Sequence, residues 1–457
     1  MPPLEIERAQ KIACHELNTG KKHAGFFLLD NETITAEICS YDEPLELRSE
    51  KPVFLRTQNN QIVSLHSNFT TPRDWSTHVG ATVMESHTQR IISNTAVIGY
   101  ERWHENDKIK RVTFRVARAN DILKHTEKFD KIVTEKKTES LFSESVDDMT
   151  ISAGYEASFS FGYNASVKIT PSLEIEFDKP RMLANYLADV ARVVQFLSLS
   201  LGAYMKPSDI KISKLSREEL RTAVKAGAYP GDNSVEYVWP EIKGSDHEIL
   251  VGGPLFTAWD NEELRALREA LITWVRRNAD WKNANDQMMH CLASKHEISP
   301  DRLLAACKWF EEIPLTKARA AITEEHIAII AETASLKASE LGYSNIRERI
   351  AGALKPLRME SNEQRFSRLV EQVRERFGPS ILGSEAVNHL KNALAFRGKS
   401  AHGHYTASDD AEFRNFVKSI YAVEALCFLL MALDLPIAGK GIERANSNQF
   451  ITDYRMC

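Results

Sequence analysis

The sequence predicts an α+β protein, with an antiparallel β-rich part of sandwich or barrel type followed by an all-helical bundle. Three observations predict it. Short runs alternating apolar and polar residues fill the chain up to Pro180, helical periodicity replaces them there, and from residue 289 onward only that periodicity is left. A chain of 457 residues suits two or three domains of roughly 100–200 residues each. The expected boundaries are 1–288 for the β-rich part, with helical segments at 183–201 and 261–281, and 289–457 for the bundle.

The elements follow in order. Residues 25–29 are a short apolar run after Gly20, and residues 32–38 set Ile34, Ala36 and Ile38 against Thr33, Thr35 and Glu37, the pattern of a half-buried strand. Residues 52–57 and 61–66 flank Gln58-Asn59-Asn60, which predicts a hairpin turn. Further strands are expected at 91–100, 110–116, 149–158 and 165–177, and a short one at 237–239. Past Pro180, Leu183, Tyr186, Leu187, Val190, Val194 and Leu197 share one helical face, and Gly202 is the stop. Residues 261–281 repeat the pattern with Leu264, Leu267, Leu271 and Trp274.

The bundle opens at Ser299-Pro300-Asp301, a cap, a first-turn proline and an acid. Leu303, Leu304, Cys307, Phe310 and Ile313 form the apolar face of that helix. Helices follow at 324–341, from a cap at Ser344, at 362–377 before Gly378-Pro379, from a cap at Ser384, and from a cap at Ser408 with Asp409 and Asp410 at its positive end. Consecutive helices of this kind imply an α bundle.

Composition excludes several classes. Apolar residues are 43% and charged residues 26%, ordinary for a soluble globular protein. The net charge of −5 gives no global attraction to nucleic acid, so any basic surface is local. Between residues 345 and 405 there are 11 Lys/Arg against 6 Asp/Glu, a local net of +5. Arg365, Arg368, Arg374 and Arg376 lie in that stretch and are the candidate RNA-binding residues; solvated helix faces would show the same pattern. The six cysteines are scattered without a CxxC pair, which predicts reduced thiols in a cytoplasmic protein. The N-terminus has no apolar segment of signal-peptide type, and the apolar run at 422–435 is shorter than the ~20 residues of a membrane span. No membrane association and no cofactor is expected, and there is no GxxxxGK, GxGxxG or HExxH motif.

One stretch carries chemistry: Phe396-Arg397-Gly398-Lys399-Ser400-Ala401-His402-Gly403-His404. An arginine followed after four residues by a histidine fits the Rx4–6H pattern of HEPN ribonucleases, and Arg397 with His404 fits it as well. The spacing is weak alone, since Arg8–His15, Arg73–His78, Arg118–His125 and Arg319–His326 satisfy it too. Context singles out Arg397 and His402, which lie between an amphipathic helix and a long apolar one. Histidine titrates near neutrality and can move the 2′-hydroxyl proton, an effect of about 10²–10⁴-fold. Arginine grips two phosphate oxygens as a fork and stabilises a phosphorane-like state. Residues five apart on an ideal helix differ by about 140°. The pair therefore requires a helix break near Gly398 or Gly403, or His404 as the partner. Lys399 and Ser400 are supporting candidates. Two alternatives stand beside this: a non-catalytic module in which Arg397 pairs with a neighbouring acid, and a metal hydrolase using His402, His404, Asp409 and Asp410. Cys14, His15, His23 and Cys39 offer zinc-ligand chemistry, but at no common spacing.

The chain resembles the ApeA-like HEPN family of bacterial anti-phage abortive-infection proteins along nearly its whole length. Residues 25–28 (GFFL), 52–55 (PVFL) and 96–100 (AVIGY) resemble that family's β-rich N-terminal domain. Residues 194–200 (VQFLSLS) resemble its helical segment before the central loop, and 303–313 and 344–357 resemble the first HEPN helices. Arg397 and His402 then match the catalytic pair; the departure is Gly398, where the family carries Asn, Asp or His. The resemblance implies a homodimer with two facing Arg/His sites, cleavage of RNA with tRNA as the substrate class, and release by a phage-derived trigger. The β-rich part, lacking a catalytic constellation, is expected to sense that trigger or restrain the nuclease.

Overall fold

The computed structural model describes residues 10–21, 23–30, 33–41, 47, 51–70, 74–79, 83–135, 140–160, 166–228, 232–237, 252–401 and 407–457. The chain divides into two compact units, Met1–Val194 with Met205–Ile242, and Gln195–Tyr204 with Lys243–Cys457.

The first unit holds β1 (Lys11–Glu16), β2 (Ala24–Leu29), β3 (Ile34–Tyr41), β4 (Val53–Thr57), β5 (Ile62–Thr70), β6 (Asp74–Val79), β7 (Val83–Gly99) and β8 (Lys108–Val116). After α1 (Ala119–Leu123) and α2 (Thr126–Glu135) come β9 (Ser140–Val146), β10 (Met149–Ser160) and β11 (Ser166–Met182). Then follow α3 (Tyr186–Leu201), which counts with this unit only up to Val194, β12 (Pro207–Ser213), α4 (Arg217–Lys225) and β13 (Asn233–Tyr237). The strands run in the order β3-β2-β1-β4-β5-β7, and β7 pairs back with β3, so six strands close into an antiparallel barrel. The order continues from β7 through β13-β12-β8-β11-β10-β9 as an extension of the same sheet. Between sandwich and barrel, the fold is a barrel with this extension.

Alternation places the core. Ile34, Ala36 and Ile38 of β3 are buried with Phe27, Leu29, Val53, Leu55, Val63 and Leu65. The β4–β5 hairpin turns where expected: Asn60 sits at φ 62°, a left-handed position asparagine tolerates, and the Thr57 and Gln61 backbones bond at 2.9 Å. Five described strands, β1, β6, β9, β12 and β13, were not among those expected; the short strand expected at 237–239 ends in residues outside the described set.

The second unit is helical: α5 (Asn261–Arg276), α6 (Asn278–Ala293), α7 (Pro300–Glu312), α8 (Glu324–Glu340), α9 (Arg347–Leu354), α10 (Asn362–Phe377), α11 (Ala386–Ala401), α12 (Asp410–Ala432), α13 (Gly439–Ala445) and α14 (Gln449–Met456). Ser299 caps α7, accepting from the Arg302 N–H at 3.2 Å with Pro300 in the first turn, as the sequence predicts. Gly202 ends α3 at φ 69°.

Two local expectations are corrected. The single helix at 261–281 is two, α5 and α6, broken at Arg277. The Arg277 guanidinium lies over both Trp274 and Trp281 and bonds the Met431 carbonyl and Asp434, contacts that compete with continuous helix. The cap of α12 is Asp409 rather than Ser408, with Asp409 accepting from the Glu412 N–H at 2.8 Å. Helix α11 runs through Gly398 to Ala401, so of the alternatives for the Arg397–His402 pair the break near Gly398 is set aside, while Gly403 and His404 lie outside the described residues. Residues 243–288, expected with the β-rich part, fall in the second compact unit, where Leu264, Leu267, Leu271 and Trp274 are buried.

Helix α12 is the one described helix long and apolar enough to cross a membrane, and most of its apolar window is buried inside the protein. It is the central helix of the bundle, with Phe416, Ile420 and Leu426 to Ala432 inaccessible. Helices α8 and α9, by contrast, bury no residue; they form an excursion closed at its base by a bridge between Ala320 and Met359.

Candidate active site

Helical periodicity brings four helices around one cavity of about 170 Å3. Cys307, Phe310 and Glu311 come from α7, Asn362, Arg365 and Phe366 from α10, and Leu390, Ala393, Leu394 and Arg397 from α11, each set at i, i+3, i+4 spacing. Val423 of α12 completes the wall. Arg397 thus stands in the last turns of α11, at the polar end of a face whose earlier residues are apolar.

Its guanidinium forms a two-pronged ion pair with Glu311: Nη1 meets Oε1, and Nη2 meets Oε2 at 3.2 Å. Both side chains are exposed, Arg397 by 38% and Glu311 by 46%. A second cation enters from α10. The Arg365 guanidinium stacks on Phe310 at 4.6 Å from the ring centroid, and its Nε is buried with no hydrogen-bond partner among the described residues. Burial lowers the pKa of Arg365 from its ordinary value, against the opposing pull of Glu360 and a weaker one from Glu311. Burial pushes the Cys307 thiol up to about 12, which disfavours its thiolate.

The remaining candidate arginines have other partners. Arg368 closes on Glu360 with Nε to Oε2 at 3.0 Å and Nη2 to Oε1 at 2.5 Å. Those bonds hold the Glu360 carboxyl below its usual range. Arg374 donates to the Leu382 and Gly383 carbonyls at 3.2 and 2.9 Å, and Arg376 to the Leu435 carbonyl at 3.3 Å. Of the four, Arg365 alone lines the cavity.

His402 and His404 lie outside the described residues, as does Gly403. The segment that carries them is bracketed by one carboxylate. Glu412 takes Lys399 Nζ on Oε1 at 3.0 Å, and the Ser408 N–H and Oγ–H on Oε2 at 2.8 and 2.7 Å. The Ser408 backbone bond, then its hydroxyl and Lys399, hold the Glu412 carboxyl down to about 2. Lys399 is therefore an ion-pair partner, and the Ser400 hydroxyl is buried without a partner among the described residues. Among the described residues no three of His, Cys, Asp and Glu gather in metal-binding geometry; Cys14 faces the barrel core, and the Asp409 carboxylate caps α12.

Of the residues named from the sequence, Arg397 and Arg365 line the cavity; Glu311 and Asn362, which line it too, were not named. Glu311 directly follows Phe310 and lies four residues after Cys307, so it sits on the edge of the apolar face already recognised on α7. Chemically, the cavity offers two guanidiniums, one exposed carboxylate and an amide, and the guanidiniums are suited to an oxyanion with several acceptor oxygens.

Comparison with known proteins gives one match. The family model of ApeA N-terminal domain 1 matches residues 21–249. No curated protein and no solved structure matches. The matched span is half of the chain, and the chain belongs to the ApeA family.

Proposed function

We propose that this protein is a metal-independent endoribonuclease of the HEPN type, an ApeA-type anti-phage defence protein that acts in the cytoplasm as a homodimer and cuts host RNA, with tRNA as the substrate class. His402 takes the proton from a ribose 2′-hydroxyl, the 2′-oxygen attacks phosphorus, and the 5′-oxygen leaves with a proton. The product ends are a 2′,3′-cyclic phosphate and a 5′-hydroxyl. Arg397 binds the two non-bridging oxygens and stabilises the charge that builds on them. Dependence on the 2′-hydroxyl restricts the reaction to RNA.

The observation that carries this reading is Arg397 at the mouth of a cavity shared with a second guanidinium, five residues before His402 in a chain of the ApeA family. The test is incubation of the purified full chain with total RNA in EDTA. Cleavage that persists, leaves cyclic phosphate ends and vanishes in His402→Ala is expected. Cleavage intact in His402→Ala but lost in His404→Ala moves the role to His404, and sensitivity to EDTA would favour a metal hydrolase. Against that last reading, Asp409 already caps a helix with its carboxylate.

A second reading has an observation of its own. The Arg397–Glu311 ion pair is the contact a non-catalytic RNA-binding or scaffold module would show. In that case RNA remains uncut in the same assay at every enzyme concentration.

A further inference from the structure

We propose that the cavity beside Arg397 is a phosphodiester subsite that Glu311 occupies in the resting protein and an RNA phosphate takes over. The inference rests on reading Arg397 as the phosphate-binding group, and adds to it a second binding residue, Arg365, and a built-in competitor.

Three features carry it. First, Glu311 meets Arg397 through both carboxylate oxygens, the same two-pronged geometry that a guanidinium gives a phosphate, so it fills the place of two non-bridging oxygens. Second, that pair is exposed on both sides, and exposed pairs are weak enough for a competing anion to replace. Third, Arg365 holds a charged group at the cavity wall with its Nε buried and without a hydrogen-bond partner among the described residues, stacked on Phe310. A buried donor of that kind is costly unless a ligand completes it. Asn362, the first residue of α10, adds an amide and puts the positive end of that helix at the same wall. Glu311 lies in the final turn of α7, one residue before the helix ends, and its exposed side chain can rotate outward without disturbing the core.

The test is titration of the full chain with inorganic phosphate by calorimetry, in the parent and in Glu311→Gln, Glu311→Asp, Arg397→Ala and Arg365→Ala. Glu311→Gln is expected to bind phosphate about three- to five-fold more tightly, the loss of one weak competing ion pair. Glu311→Asp should stay near the parent, while Arg397→Ala and Arg365→Ala should each weaken binding. A 2′-O-methyl oligoribonucleotide, which cannot be cut, should compete with phosphate; competition by a mononucleotide but not by the oligomer would overturn the phosphodiester assignment. Unchanged or weaker phosphate binding in Glu311→Gln, with its circular dichroism intact, overturns the competitor role. The binding readout separates this from catalysis. Tighter phosphate binding in Glu311→Gln without any RNA cleavage leaves the subsite standing and removes the nuclease, and cleavage with unmoved phosphate affinity does the reverse.

Discussion

Helix α7 carries an ion pair near each end, and the two share chemistry but not surroundings. Near its start, Arg302 meets Glu424 of α12 through Nε and Nη2 at 2.9 and 2.8 Å, with both side chains 1% exposed. The same guanidinium donates to the Lys295 and Glu297 carbonyls and lies over Tyr421. At the far end, Glu311 meets Arg397 in the open, and among the described residues neither side chain has a further hydrogen-bond partner. A buried pair cannot be exchanged without leaving a bare charge in a low dielectric. An exposed pair is screened by water and can be traded for another anion. The first fixes α7 against α12; the second joins α7 to α11 through a contact that water reaches.

The largest effect should come from the buried end. Arg302→Met strands the Glu424 carboxylate and should cost about 3–5 kcal/mol in chemical denaturation, whereas Arg302→Met with Glu424→Leu should recover most of that loss. A cost below about 1 kcal/mol for the single variant would show that burial is not what separates the two pairs.

A smaller effect sharpens the same contrast through pH. Lys295 is packed beside the buried pair, with Nζ 4.0 Å from the Phe450 ring centroid and 3.9 Å from Asp453. Burial pushes its ammonium down from 10.5 to about 8. Between those values the unfolded chain still holds a proton that the folded chain has released, so this group's contribution to stability rises with pH from about 8 to about 10.5. Measured against Lys295→Met, the parent should gain about 1–3 kcal/mol across that window. Parallel stability curves for the two proteins would contradict it.

Much of this was legible in the sequence, for identifiable reasons. The strand at β3 announces itself through period two, and the helix at α10 through Gly378-Pro379 at its end. Barrel closure was not legible, because it depends on β3 pairing with β7 some fifty residues away, which no local pattern encodes. Strands such as β12 were hidden because Ser208, Asp209 and Lys211 leave only Ile210 and Ile212 to mark a face, with Asp209 at φ 49° interrupting the ladder. The break at Arg277 has no glycine or proline to mark it, and the contacts of its guanidinium with Trp274, Trp281 and the Met431 carbonyl form only once the helices pack. At the site, Arg397 was visible through its spacing to His402, but its partner Glu311 is 86 residues distant in sequence and emerges only when α7 and α11 pack.

The most direct test is to measure cleavage rate and thermal stability together in Arg397→Ala. Because the Glu311 pair is exposed, its loss should leave stability within about 0.5 kcal/mol of the parent. If Arg397 carries the phosphate, RNA cleavage should fall by about 100-fold or more in the same protein. Cleavage at the parent rate in a stably folded Arg397→Ala would contradict the assignment outright.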